Sequence, residues 1–392
     1  MSSPPEQLPS LAALSSPVLQ PAPDWRALQE SRAVVRVRTY AGDDAWLITR
    51  YAEIKELLMG SRVGRAHPDP ANAPQFINSA ILDEATGQSD YANEIADHHQ
   101  LRAVLTPYFS RKRMAALEPA VSALVDEAVD ALESHGPPAD LMTVFANPLS
   151  MAVLCELIGI PAEERDELGP LLAAASMLGG DAEGLAPLEA VIERLVTLRR
   201  QDPRDDMISG ACAAGLPDAE IANVIAGVIF GGRGVVNHLA FGVARLCSDH
   251  ELRAAVTADP GLMPAAVEEM VRTASAGGVI MPHYAREDLD VDGVRIQTGD
   301  LVLLDLALAN TDRRVFEEPD RIDLTRTSNQ HLTFSFGIWH CVGAPLARME
   351  LRLAFSALLR RFPELRLVHP VSELSTPDDQ LAGGLSALPV AW

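Results

Sequence analysis

The sequence predicts a mainly α protein with a small β region, folded as one large domain. Three observations carry this. Helical patterning dominates from His98 to about Ala214. A long apolar helix candidate covers Asp218–Cys247. Short strand-like segments gather in only two places, near residues 34–49 and 278–304. The chain has 392 residues, 48% hydrophobic and 22% charged, which is the balance of a globular protein with ample core. Length alone allows two or three domains. No linker-like stretch separates them, so residues 23–392 read as a single domain behind a Pro- and Ser-rich lead-in at 1–22.

The elements follow in chain order. Val34–Arg38 and Ala45–Thr49 read as strands around a turn at Gly42-Asp43-Asp44. Tyr51–Met59 reads as a short helix stopped by Gly60. Residues 64–96 mix Pro, Asn, Gly and Asp with isolated apolar residues and predict a long loop, of the kind that is often functional. The helical stretch that follows breaks at Pro107, Gly136-Pro137-Pro138, Pro161 and Gly179-Gly180. Pro217 opens the Asp218–Cys247 helix, a position where proline's missing N–H costs nothing. At ~1.5 Å per residue that helix is about 45 Å long. It is apolar on nearly every face and is expected to run buried through the middle of the domain. Gly278–Ile280, Leu289–Val291, Gly293–Ile296 and Leu301–Leu304 read as strands, and Pro345–Phe362 as the final helix before a strand-and-loop tail.

Charge and cysteine usage bound the function. Acidic residues number 54 against 32 basic, a net charge of −22, which repels a phosphate backbone and argues against a nucleic-acid coat. The four cysteines, Cys155, Cys212, Cys247 and Cys341, form no CxxC pair, so neither a disulfide framework nor zinc spacing is present. No continuous run of 18 apolar residues and no signal-peptide pattern is found, so a cytoplasmic protein with no membrane partner is expected. The only lysines are Lys55 and Lys112, an arginine skew that points to a GC-rich genome.

The most informative stretch is Phe334-Ser335-Phe336-Gly337-Ile338-Trp339-His340-Cys341-Val342-Gly343-Ala344-Pro345. Cys341 stands just ahead of a helix opening at Pro345, where the helix dipole and unpaired N–H groups stabilise a thiolate. Gly337 and Gly343 frame it and remove side chains that would block a flat cofactor from the sulfur. A lone cysteine in a turn is ordinarily a buried free thiol; the glycine frame and the following helix favour a ligand.

This stretch resembles the heme-binding loop of the cytochrome P450 family, Phe-x-x-Gly-x-x-x-Cys-x-Gly, with Phe334, Gly337, Cys341 and Gly343 matching. Glu269-Met270-Val271-Arg272 resembles the family's Glu-x-x-Arg helix, and Arg321 in Pro319-Asp320-Arg321-Ile322 resembles its partner arginine. A buried carboxylate between two guanidiniums is physically sound, since a buried charge needs hydrogen-bonded partners. His98 and Arg102, spaced i, i+4 on one helix face, resemble the family's heme-propionate pair. The C-terminal run Ala382-Gly383-Gly384-Leu385-Ser386 resembles the end of bacterial members.

The sequence departs from the family in the central helix, at Phe230-Gly231-Gly232-Arg233-Gly234-Val235. Members usually carry Ala/Gly-Gly-x-Asp/Glu-Thr there. In one register Arg233 takes the acid position and Gly234 the alcohol position; slid by one, Gly234 and Val235 take them. Either way the acid–alcohol pair, which the resemblance implies would deliver protons during dioxygen activation, is missing. Glycine costs about 1 kcal/mol in a helix interior. Three within four residues suggest a locally opened helix, a surface that a ligand approaches closely, or close helix packing. Trp339 stands where a propionate-binding His is common, and His283 where an Arg is usual. An indole N–H and a neutral imidazole each still donate one hydrogen bond.

The resemblance implies a heme-thiolate monooxygenase of the soluble bacterial kind, acting on a small natural product, with heme b on Cys341 between the central helix and the cysteine-side helix. It implies a monomer that takes electrons from a ferredoxin and its reductase. Arg111-Lys112-Arg113, Arg348 and Arg352 are a candidate docking patch for an acidic ferredoxin. Phe230, Gly231, Arg233 and Gly234, then Gly278, Val279 and Ile280, then Gly384 and Leu385 are the candidate pocket. Arg233 needs a partner: an acidic or polar substrate group, or an internal acid among Glu164, Asp166, Asp181 and Glu183. Two other readings stay open. One is a heme-thiolate enzyme that uses peroxide or runs a rearrangement or coupling. The other is a non-catalytic heme-binding protein.

Overall fold

A computed structural model describes residues 8–11, 18–20, 23–78, 90–161, 165, 168, 171, 186–274, 282–376 and 384–392, and the side chains at 188, 189 and 233 also lie outside the description. The expected strand at Gly278–Ile280 and the acids proposed to pair with Arg233 therefore lie outside the described residues.

The chain opens with α1 (Pro23–Ser31), β1 (Val34–Arg38), β2 (Asp44–Ile48), α2 (Tyr51–Met59) and the two-residue β3 (Val63–Gly64). Helices follow: α3 (Glu94–Leu105), α4 (Arg111–His135), α5 (Asn147–Ile158), α6 (Ala186–Gln201), α7 (Met207–Ala213), α8 (Asp218–Ser248), α9 (His250–Ala258) and α10 (Met263–Thr273), with β4 (Ala139–Asp140) between α4 and α5. The β region resumes with β5 (Pro282–Ala285), β6 (Leu289–Val291), β7 (Val294–Ile296) and β8 (Leu301–Leu304). Then come α11 (Leu306–Ala309), α12 (Ala344–Arg361), β9 (Arg366–Leu367) and β10 (Pro389–Ala391).

Most expected elements form within a residue or so of their predicted bounds. Like the two-residue strands β3 and β4, β5 is one that the sequence hid. All four of its residues are buried, so it shows no polar alternation. It lies between β8 and β3 in a five-stranded sheet ordered β1-β2-β8-β5-β3. That sheet packs with α2 around a second core containing Ile54, Leu57, Leu58, Val302 and Trp339. The main core is helical, and α8 packs there against α5, α6, α10 and α12.

The central helix corrects two expectations. It runs unbroken through Gly231–Gly234, so it is not opened. Nor is it buried on every face: Asn223, Gly227 and Gly231, at i, i+4 spacing, form an exposed stripe. By length and composition alone α8 could cross a membrane. Here it is the helix that α5, α6, α10 and α12 pack around.

Candidate active site

Cys341 is set in place by its own loop. Its N–H donates to the Phe334 carbonyl at 2.7 Å, and its carbonyl accepts from Ala344 N–H at 3.4 Å at the start of α12. Ser335 and Gly337 take left-handed backbone at φ +59° and +61° to make the bend. A side chain at Gly337 would collide with the Leu58 carbonyl at the end of α2. This glycine is therefore needed to seat the loop on α2. At Gly343 a Cβ would stand 3.7 Å from Cys341 Sγ, an ordinary contact. The Cys341 residue is reachable from solvent, but protein crowds the thiol on its other sides. That crowding pushes its pKa up, against the N–H groups of Gly343 and Ala344 and the charges of Arg102 and Arg348.

Helix α3 clamps the same loop. His98 Nε2 donates to the Ile338 carbonyl at 2.9 Å, and Arg102 Nη1 donates to the His340 carbonyl at 2.8 Å. Burial lowers the His98 pKa, so its ring is neutral and its one proton goes to Ile338. The i, i+4 pair thus holds the cysteine loop by its carbonyls. On the other side of the loop, Arg348 on α12 donates to both oxygens of Glu268 on α10, at 2.6 and 3.0 Å. Burial alone would raise the Glu268 pKa, but His331 and Arg348 hold it down at about 2.

Behind the loop, Glu269 is fully buried and fully used. Arg272 donates to Oε1 at 2.7 Å and to Oε2 at 2.8 Å. Asn329 Nδ2 reaches Oε1 at 3.0 Å and Asp323 N–H reaches Oε2 at 2.8 Å. The third charge is Arg326, whose Nε donates to Oε1 at 3.2 Å, and not Arg321 as the sequence suggested. Arg321 sits in a turn closed by its own N–H to the Glu318 carbonyl. That turn points its carbonyl inward to Arg272 and its side chain outward to Glu318. Arg272 also donates to the carbonyls of Pro319 and Asn310, and Asn310 in turn holds Leu332 N–H and Thr333 Oγ1. The network fixes the segment that leads into the cysteine loop.

Trp339, His98, His283 and Arg65 meet beside the loop. The Trp339 ring lies 4.7 Å from His98 and 5.7 Å from His283, and the Arg65 guanidinium sits 5.1 Å over it. Trp339 Nε1 is sealed from solvent and meets no hydrogen-bond partner among the described residues. Arg65 went unread in the sequence because it follows a two-residue strand whose partner, β5, was itself hidden.

The three glycines of the central helix divide. A Cβ at Gly232 would collide with Leu154 on α5, which is the close-packing reading. At Gly231 and Gly234, as at Gly227, a Cβ would meet nothing within 4 Å among the described residues. Those three leave a wall of bare backbone on the open side of α8. Phe230 is partly buried against the core of the five-stranded sheet. Gly384, at φ +110°, sits tight against the Asn237 carboxamide, and Leu385 is buried. Gly278, Val279, Ile280 and the Arg233 side chain lie outside the described residues. Of the expected docking patch, Arg113 pairs with Asp205, Arg348 with Glu268 and Arg352 with Glu118, while Arg111 and Lys112 are exposed and have no ion pair among the described residues.

A helix-opening cysteine on a clamped loop, a buried Glu-x-x-Arg brace and a long central helix with one open face define a heme-thiolate protein. The donor set fits that group: a thiol for iron, and a buried indole N–H still to be used at the loop's edge. Comparisons agree. A family model described as cytochrome P450 matches residues 251–387. Pentalenolactone synthase of Streptomyces exfoliatus is 34% identical over 98% of this chain and 100% of its own. Mycinamicin IV hydroxylase/epoxidase of Micromonospora griseorubida is 34% identical over 93% of this chain and 94% of its own. The substrate-free structure of PimD, a polyene macrolide antibiotic pimaricin epoxidase, superposes with a TM-score of 0.91 at 42% identity, over 99% of this chain and 100% of that one. The chain belongs to the cytochrome P450 family, and it is a heme-iron monooxygenase.

Proposed function

We propose that this enzyme hydroxylates or epoxidises an extended, macrolide-sized natural product laid along α8. The observation that carries this is the bare wall at Gly227, Gly231 and Gly234, where among the described residues no side chain limits the approach of a broad ligand. The epoxidase activity of PimD and the hydroxylase/epoxidase activity of the mycinamicin enzyme support it. The cofactor is heme b, which supplies dioxygen activation for insertion of one oxygen atom. Cys341 Sγ is the iron ligand, His98 and Arg102 hold the loop that carries it, and Trp339 Nε1 donates to the cofactor's carboxylate edge. His283 lies against Trp339 and keeps that ring in place. Gly234 has no side chain, so the proton that its position would pass on comes from water or from a substrate hydroxyl. Electrons come from a ferredoxin and its reductase, and the protein works as a cytoplasmic monomer.

The test is optical titration of the purified protein with a polyene macrolide lactone and with a small monocyclic terpenoid. The expected result is a spin-state shift with the macrolide at micromolar concentration and none with the terpenoid. A shift with the terpenoid alone overturns the substrate class. The missing acid–alcohol pair at 233 and 234 also favours a second reading, peroxide-driven turnover. Product formed with hydrogen peroxide but not with ferredoxin, reductase and NADPH selects it.

A further inference from the structure

The geometry points to Arg65 as the cation that binds a heme carboxylate in this chain, doing so from the strand opposite His283. This rests on the reading that Cys341 binds heme. β3 pairs antiparallel with β5, Val63 facing Ala285 and Gly64 facing Tyr284. Continuing that register sets Arg65 across from His283. Both side chains reach the Trp339 ring, from its face and its edge. Arg65 Nε is sealed from solvent and, like Trp339 Nε1, has no hydrogen-bond partner among the described residues. Two neighbouring buried donors, one on a permanent cation, are a site for an anionic oxygen.

The nearest acid does not fill that role. Glu94 Oε1 accepts the backbone N–H groups of Arg65 and Ala66, and its Oε2 accepts Arg286 Nη1 at 2.7 Å. With Arg286 bound to Glu94, the Arg65 charge is left over. Burial pulls the Arg65 pKa down, with Glu94 opposing, as for a cation short of a partner. Among the described residues, the two rings beside Arg65 supply no negative charge. His98 is neutral, and Trp339 carries none. A flat ligand whose iron reaches Cys341, two residues beyond Trp339, and whose edge bears carboxylates brings the missing anion. Heme b has two.

The experiment measures heme release to excess apomyoglobin from wild type, Arg65→Ala, Arg65→Lys and Arg65→Ala/His283→Arg. Each is loaded with hemin and, separately, with hemin dimethyl ester. Expected is hemin release faster by about 10-fold or more in Arg65→Ala, as loss of a charge-assisted hydrogen bond implies. Arg65→Lys should lie between the two, and the double variant should recover because the charge returns across the strand pair. With the ester, wild type and Arg65→Ala should release at one rate. Equal hemin release from wild type and Arg65→Ala overturns the inference and leaves the heme reading standing. A difference that persists undiminished with the ester also overturns it, showing that Arg65 acts by packing on Trp339. A wild type that holds no hemin at all overturns both.

Discussion

Arg326 Nε donates to Glu269 Oε1 at 3.2 Å, across 57 residues of chain, while the nearer Arg321 gives Arg272 only its carbonyl. Arg326 is 11% exposed and Arg321 68% exposed in their side chains, which decides their weights. Removing one partner of a buried charge network costs about 3–5 kcal/mol, an exposed pair about 0–1. Arg326→Ala should therefore lower unfolding free energy by about 2–4 kcal/mol, Arg326 being one of several donors, and Arg321→Ala by less than about 0.5 kcal/mol. Urea denaturation of the two variants side by side checks this, and the reverse order would restore Arg321 to the network.

Cys341 is the one sulfur placed at the head of α12. Cys341→His should abolish the strongly red-shifted absorption of the reduced carbon-monoxide complex. Persistence of that band in the variant would exclude Cys341 as the ligand.

The glycines of α8 predict opposite signs one residue apart. Gly231→Ala adds a methyl to open space and gains helix propensity, about 0.5–1 kcal/mol. Gly232→Ala forces the Leu154 side chain of α5 out of its present place and should destabilise by about 1–3 kcal/mol. Thermal unfolding separates them, and the same sign for both would mean that α8 lies in a different rotation.

Position 234 tests the proton route. Among the described residues a Cβ there meets nothing within 4 Å, which leaves room for a threonine. Wild type should turn over substrate without it, and Gly234→Thr should change the peroxide released per NADPH. Activity found only in the variant would mark the natural enzyme as crippled.

Glu350 on α12 predicts a pH dependence. Burial pushes its carboxyl up to about 8, against the nearby Ser150 hydroxyl. The native state thus keeps a proton that the unfolded chain releases near 4.5. Stability from this group is intact below about 4.5 and is lost as pH rises through 8. Glu350→Gln removes the ionisation, so the fall in stability between pH 5 and about 8.5 should be shallower than in wild type. Parallel curves for the two proteins would mean that Glu350 ionises normally.

Local signals were legible where chemistry is local. Phe334, Gly337, Cys341 and Gly343 carry the ligand loop in ten residues, and Glu269-x-x-Arg272 is a single helix turn. The elements with clear periodicity or strong stops, such as Tyr51–Met59 before Gly60, form where expected. What failed had no local mark. Arg321 and Arg326 both follow short turns, and what tells them apart is tertiary: Phe316 packs under Arg272 and Arg326, and Arg326 reaches Glu269. β5 is buried on both faces and so lost its alternation, and with it went the register that brings Arg65 beside Trp339.

The sequence by itself determined the family, the fold class, the candidate iron ligand and the absence of an acid–alcohol pair in the central helix, because each is written in residues a few positions apart. Only the tertiary structure decided which arginine closes on Glu269. It also decided which α8 glycines face open space and which one packs on Leu154, and that His98 spends its proton on Ile338. The physical reason is that burial and hydrogen bonding belong to pairs of groups. For these residues the partner lies tens to hundreds of positions away, where no pattern along the chain can reach.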